Sequence, residues 1–175
     1  MEANAEHYRW VGFRDIRPIP IALALVGESL ANTWSAPVLE DLVDDELPAG
    51  PASDFPYAGG VPVVSEKAVV ALGDLLEQNG ELLPTLSNSG TYFVYNVTTM
   101  ADVLDEQASE IERFASSGRV MNIKAFAFRA KALDSLAIFK IPQIPKPLVL
   151  ATERLKSEVE RSRLTGFVFK PVWSS

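Results

Sequence analysis

VPVV at 61–64, Ser65, EKAVVALGDLLEQN at 66–79, Gly80 and ELLPTL at 81–86 follow one another without interruption, and this stretch decides the fold. The apolar, β-branched run reads as a strand. Ser65 carries the side-chain oxygen that accepts a hydrogen bond from the unpaired amides of a first helical turn. Glu66 complements the positive end of the helix dipole. Val69, Leu72, Leu75 and Leu76 recur at helical spacing and form one apolar face. Gly80 reads as the left-handed residue that stops the helix. The same order returns at PLVLA (147–151), Thr152, ERLKSEVERSRLT (153–165), Gly166 and FVFKPVW (167–173). Ser65 and Thr152 are both expected as helix N-caps. Two similar strand–helix–strand units predict an α/β or α+β fold, a mixed sheet with helices packed on it. Two copies fall short of the array that marks a solenoid.

Between the two units, residues 82–86 and 91–97 read as strands joined by the turn residues Ser87, Asn88, Ser89 and Gly90, so 81–97 should form an antiparallel hairpin. Met100, Val103, Leu104, Ala108, Ile111 and Phe114 follow at helical spacing and predict a helix, or a helix and a loop. Residues 120–128 read as a strand with apolar residues at both parities, which predicts burial of both faces for part of its length. Residues 136–141 predict a short strand, and the prolines at 142, 145 and 147 an extended surface loop.

Toward the N-terminus, IRPIPIALALV (16–26) predicts a strand beginning after Pro20, because proline suits only the start or edge of a strand. Leu39, Leu42, Val43 and Leu47 lie at helical spacing with acids between them, which predicts a short acidic helix or turn. LPAGPASDFPYAGGVP (47–62) reads as a loop or linker. The segment before it is too short to bury a core of its own. Residues 1–175 are therefore read as a single domain, with 1–60 packed on 61–175.

The chain has 175 residues, 47% of them apolar, and no cysteine, so disulfides, thiolate metal sites and a cysteine nucleophile are ruled out. The opening MEANAEHYRW carries acids where a secretion signal would be basic. The longest apolar run, 19–26, is too short to span a bilayer. A cytoplasmic protein without membrane contact is expected. Net charge is −7, unevenly distributed. Residues 1–118 hold 19 acidic and 5 basic residues, and 119–175 hold 4 and 11. An acidic surface built by the first part would attract a basic partner, and nucleic acid would be repelled from it.

Candidate chemistry is sparse. His7, the only histidine, lies in a polar terminal stretch, which removes a Ser-His-Asp triad and a zinc site from consideration. The carboxylate groups Glu40, Asp41, Asp44, Asp45, Glu46 and Asp102, Asp105, Glu106 lack the spacing and glycine of a calcium loop. Gly59-Gly60 is not followed by the Lys-Ser/Thr of a phosphate loop. Tyr92, Phe93, Tyr95, Phe126, Phe128 and Phe139 read as core strand residues before they read as a stacking platform. No catalytic residue, metal or cofactor is expected.

From residue 61 to 173 the chain resembles a family of immunity proteins from bacterial polymorphic toxin systems. VVSEKAVVALGDLLEQNGELLP (63–84), TYFVYNVTTMADVLDEQASE (91–110) with Leu104, Asp105 and Ser109, IFKIP (138–142) and TGFVFKPVW (165–173) carry the resemblance in order and spacing. It implies a cytoplasmic protein that binds and neutralises a cognate toxin, and it transfers no catalytic residue. Many such toxins act on nucleic acid and are basic, so an acidic inhibitor would be steered to them. Leu39, Glu40, Asp41, Leu42, Asp44, Asp45 and Glu46 are the expected partner-binding residues. A scaffold module, including a homodimer, and a carboxylate-based enzyme are the alternative readings.

Overall fold

The computed structural model describes residues 1–14, 17–144 and 148–174. In chain order its elements are β1 (Glu2–Ala3), β2 (Val11–Phe13), α1 (Pro18–Ala24), β3 (Leu39–Asp41), β4 (Val63–Ser65), α2 (Glu66–Asn79), β5 (Gly80–Pro84), β6 (Tyr92–Val97), β7 (Glu110–Arg113), β8 (Val120–Ala125), α3 (Ala130–Leu133), β9 (Ile138–Phe139), β10 (Leu150–Ala151), α4 (Glu153–Arg161) and β11 (Phe167–Val168). The class is α+β. The strands are distributed over small antiparallel sheets, the largest ordered β4-β6-β5.

Apart from Gly80, the first unit forms as its sequence predicts. Ser65 is extended, and its Oγ accepts the amide of Ala68 at 3.1 Å, which caps α2. β6 lies between β4 and β5 and pairs with both, Val64 opposite Phe93 and Leu82 opposite Tyr95. Because strand side chains alternate, β6 supplies two cores. Tyr95 and Val97 point toward Ala68, Leu72, Leu75 and Leu76 of α2 and Leu155 and Val159 of α4. Val94 and Tyr92 meet Val11, Ile21, Leu25 and Leu39 on the other face. Each fully buried side chain of this size contributes about 1.5–3 kcal/mol. The N-terminal residues thus cover a sheet face that would otherwise meet water.

Gly80 departs from expectation. It stands at the C-cap position of α2 as expected, but its φ of −177° is ordinary extended backbone and not left-handed, and it opens β5. The helix ends because the Asn79 carbonyl accepts the amides of Thr98 and Thr99, while the Asn79 side chain donates to the Leu75 carbonyl. Glycine is needed here for proximity: a Cβ would stand 2.3 Å from the Asn96 carbonyl oxygen.

The second unit has the same element order and different wiring. β10 pairs with β9, whereas β11 pairs with β1, so its strands lie in separate sheets. Thr152 stands at the N-cap position of α4 without a side-chain cap; its Oγ1 donates to the Leu136 carbonyl at 2.8 Å.

Three further expectations are corrected. The strand expected after Pro20 is the helix α1, because Pro18 and Pro20 both sit in a first turn, where missing amides cost nothing. No helix forms over 100–114. Asp105 Oδ1 accepts the amides of Gln107 and Ala108, Ser109 bonds back to the Asp105 carbonyl, and one turn leads into the hairpin β7–β8. The helical spacing there had combined residues of two elements. β8 is not buried on both faces: only Ile123 is buried, above a third cluster with Leu104, Phe128 and Phe139. Of the loop expected over 142–147, residues 145–147 lie outside the described residues.

The Pro/Gly-rich stretch 47–62 is not a solvated linker. Ser53, Asp54, Phe55, Pro56 and Ala58 are buried. Asp54 Oδ1 accepts Ser65 Oγ at 3.0 Å, and Oδ2 accepts Lys67 Nζ at 3.0 Å and the Thr165 amide at 2.8 Å. One carboxylate thus ties this loop to the start of α2 and to the end of the second unit.

Candidate partner-binding surface

β2 and β3 pair as Val11–Asp41, Gly12–Glu40 and Phe13–Leu39, and this pairing sorts the expected partner-binding residues. Leu39 is 1% exposed and belongs to the core beneath the sheet, so its assignment to a partner surface is corrected. The alternation of the strand turns Glu40 outward, where it forms an ion pair with Arg14 at 2.6 Å. Asp41 pairs with Arg9 and also accepts Ser89 Oγ at 3.2 Å, which brings the hairpin turn 87–90 beside it. After Asp41 the chain leaves the sheet. Asp44 Oδ1 accepts the Glu46 amide and the Asp44 carbonyl accepts the Leu47 amide, which closes a turn where a helix had been the alternative.

Residues 42–46 are all exposed. Leu42 lies across Gly12, where a Cβ would stand 2.6 Å from its Cδ2. Val43 is 92% exposed and contributes nothing to the core. Among the described residues Asp44, Asp45 and Glu46 enter no ion pair. Of the five expected acids, two are paired with neighbouring arginines, and the other three have no ion-pair partner among the described residues.

The other carboxylate group is structural. Asp102 pairs with Arg129, Glu106 with Arg113, and both accept from Gln143, while Asp105 holds its own turn. His7 is exposed, with Nδ1 against Asn4 Oδ1. Tyr92, Tyr95, Phe128 and Phe139 are buried, so these aromatics belong to the cores. Burial raises the Tyr95 phenol well above its usual range, and its hydroxyl donates to the Leu76 carbonyl. Among the described residues no group of three or more His, Cys, Asp or Glu could hold a metal ion, and no helix is long and apolar enough to cross a membrane.

A cleft of about 1260 Å³ lies elsewhere on the molecule, with Phe126, Phe128, Leu133, Leu136, Leu148 and Trp173 among its lining residues. Trp173 meets Phe128 edge-on at 5.7 Å. Sequence reading missed this cleft because its walls come from both ends of the chain and from several segments between them. No local periodicity marks such a site.

A family model described as the immunity protein family Imm11 matches residues 83–174, just over half of the chain. The chain belongs to this family. The matched stretch is narrower than the resemblance read from residue 61, for it begins inside β5 and leaves out α2. Imm11 membership implies a toxin partner in general terms. The acidic loop 42–46 lies outside the matched stretch, whereas the turn 87–90 that touches Asp41 lies inside it. Among curated proteins none matches the chain.

Proposed function

We propose that this chain is a cytoplasmic immunity protein that binds a cognate toxin and neutralises it by direct contact, without catalysis. Residues 1–60 and 61–175 act in this as one domain. The toxin is a basic protein, and the loop after β3 faces it. The observation that carries the reading is the exposed acidic turn Asp44, Asp45 and Glu46, which enters no ion pair among the described residues, with exposed Val43 just before it, in a member of an immunity protein family. Charges at the rim of an interface mainly set the rate of encounter, and a desolvated apolar contact resists dissociation. Glu40 and Asp41 add less field, being paired, and Leu42 contributes apolar surface over Gly12.

The test begins with the tagged full chain, co-purified from its native strain. The captured protein is then expressed in a susceptible host alone and together with the chain. The reading predicts growth arrest alone and growth when the two are made together. Arrest in both cases contradicts it.

A further inference from the structure

The cleft has no part in the reading above. We propose that it is the docking groove for an amphipathic helix of the toxin, apolar on one face and carrying Lys or Arg along one flank. This inference rests on the chain being a toxin-binding protein.

Size is the first argument. At about 1260 Å³ the cleft exceeds the roughly 300–1,000 Å³ of small-molecule sites. Its aromatic and aliphatic lining matches the grooves that take the apolar face of a helix.

Continuity with the acidic loop is the second. Tyr57 and Ala5 line the cleft. Trp10 packs on Tyr57 with ring centroids 4.5 Å apart, and its Nε1 donates to the Ala5 carbonyl at 2.8 Å. The Trp10 carbonyl in turn accepts the amide of Leu42 at 3.0 Å. One residue therefore separates the wall of the groove from the loop that carries Asp44, Asp45 and Glu46.

Charge is the third. Within the cleft lining Glu2 pairs with Lys170 and Glu153 with Lys156, the remaining charged side chains, Arg154 and Asp134, are of opposite sign, and the Met1 ammonium donates to the Val149 carbonyl at 3.0 Å. The side chains of the groove carry no net charge, and the loop beyond Trp10 is negative. An occupant that fits both is apolar where it lies in the groove and positive where it leaves it. An anionic lipid would meet the wrong field at that end.

The probe is a fluorescent amphipathic helical peptide of leucine and lysine, about four turns long. Leucine–glutamate and lysine–serine peptides of the same length are its controls. Against the full chain the leucine–lysine peptide should bind, and both controls should bind about tenfold or more weakly. Leu133→Arg should weaken the leucine–lysine peptide about thirtyfold. Phe126→Arg is the second variant should the first not fold; both side chains are only partly buried. The triple variant Asp44→Asn, Asp45→Asn, Glu46→Gln should weaken the same peptide about three- to tenfold at low salt. Equal binding of the leucine–glutamate peptide, unchanged binding by the folded groove variants, or no binding of the leucine–lysine peptide overturns the proposal. The captured toxin separates the two readings. If the triple variant slows its association while Leu133→Arg changes nothing, the groove proposal falls and the function stands. If no toxin binds the chain at all, the functional reading itself falls.

Discussion

The carboxylate of Asp54 accepts both the backbone amide of Thr165, at 2.8 Å, and its hydroxyl, at 3.0 Å, across a sequence separation of 111 residues. The exchange is mutual, since the Asp54 amide donates to the Thr165 carbonyl at 3.1 Å. Ser65 and Lys67 complete the shell. A buried carboxylate with every oxygen engaged is strongly missed when it is removed, because its donors are left unpaired. Asp54→Ala should lower unfolding free energy by about 3 kcal/mol, and Asp54→Asn by about 1–2 kcal/mol. Urea denaturation of the two variants beside the parent checks both values.

The same carboxylate makes stability depend on pH. Burial alone would raise its pKa. The hydrogen bonds from the Thr165 amide, Lys67, Ser65 and the Thr165 hydroxyl together outweigh burial and hold it below its ordinary value of 3.8. A group whose folded pKa is depressed adds stability that is complete above the unfolded pKa and is lost as pH falls through the folded one. The stability gap between the parent and Asp54→Asn should therefore be constant near neutrality and narrow as the pH is taken below 3.8. Denaturant melts at several pH values measure it, and a gap that widens in acid would contradict the assignment.

Ser65 and Thr152 occupy equivalent cap positions and do different things. Ser65 Oγ accepts the Ala68 amide and donates to Asp54, so Ser65→Ala removes a cap and a hydrogen bond to a charge, about 2 kcal/mol. Thr152 Oγ1 donates to the Leu136 carbonyl and caps nothing. Thr152→Ser should keep that bond and cost well under 1 kcal/mol, whereas Thr152→Val should cost about 1 kcal/mol or more. Helix content by circular dichroism and thermal melts of the three variants distinguish the roles.

Two glycines make a controlled pair. At Gly80 an added Cβ meets the Asn96 carbonyl oxygen at 2.3 Å and Tyr95 Cε2 at 2.8 Å, neither of them a flexible chain end. Gly118 has a φ of +66° and open space around it. Gly80→Ala should cost about 2–4 kcal/mol through overpacking, and Gly118→Ala about 1 kcal/mol through backbone strain alone. Melting temperatures in that order support the geometry, and the reverse order would contradict it.

The parts of the fold legible in the sequence were those written in consecutive residues. The cap at Ser65, the face Leu72, Leu75, Leu76 and the hairpin 81–97 needed only local periods and turn chemistry. Where a local pattern was satisfied by a distant partner, reading failed. Asp54 sits in a run of turn-forming residues, and nothing near it announces Thr165. Gly80 resembles a helix stop, but its constraint comes from Asn96 on the neighbouring strand. Leu39 and Asp45 looked alike as parts of one acidic segment until the pairing of β3 with β2 turned the first inward and left the second in solvent. The cleft was invisible for the same reason on a larger scale, since Phe128 and Trp173 meet only in three dimensions.

The most direct measurement is the association rate of the chain with its captured toxin as a function of salt, for the parent and for Asp44→Asn, Asp45→Asn, Glu46→Gln. Because these side chains are exposed and enter no ion pair among the described residues, and an asparagine amide oxygen can still accept the Glu46 amide that Asp44 accepts, the variant should melt within about 0.5 kcal/mol of the parent. If the loop after β3 steers the encounter, the variant should associate several-fold more slowly at low ionic strength, its rate should depend less steeply on salt, and the two rates should converge at high salt, at roughly the point where screening shortens the field to a few ångströms. Equal rates and equal salt slopes at low ionic strength would show that this surface does not face the toxin.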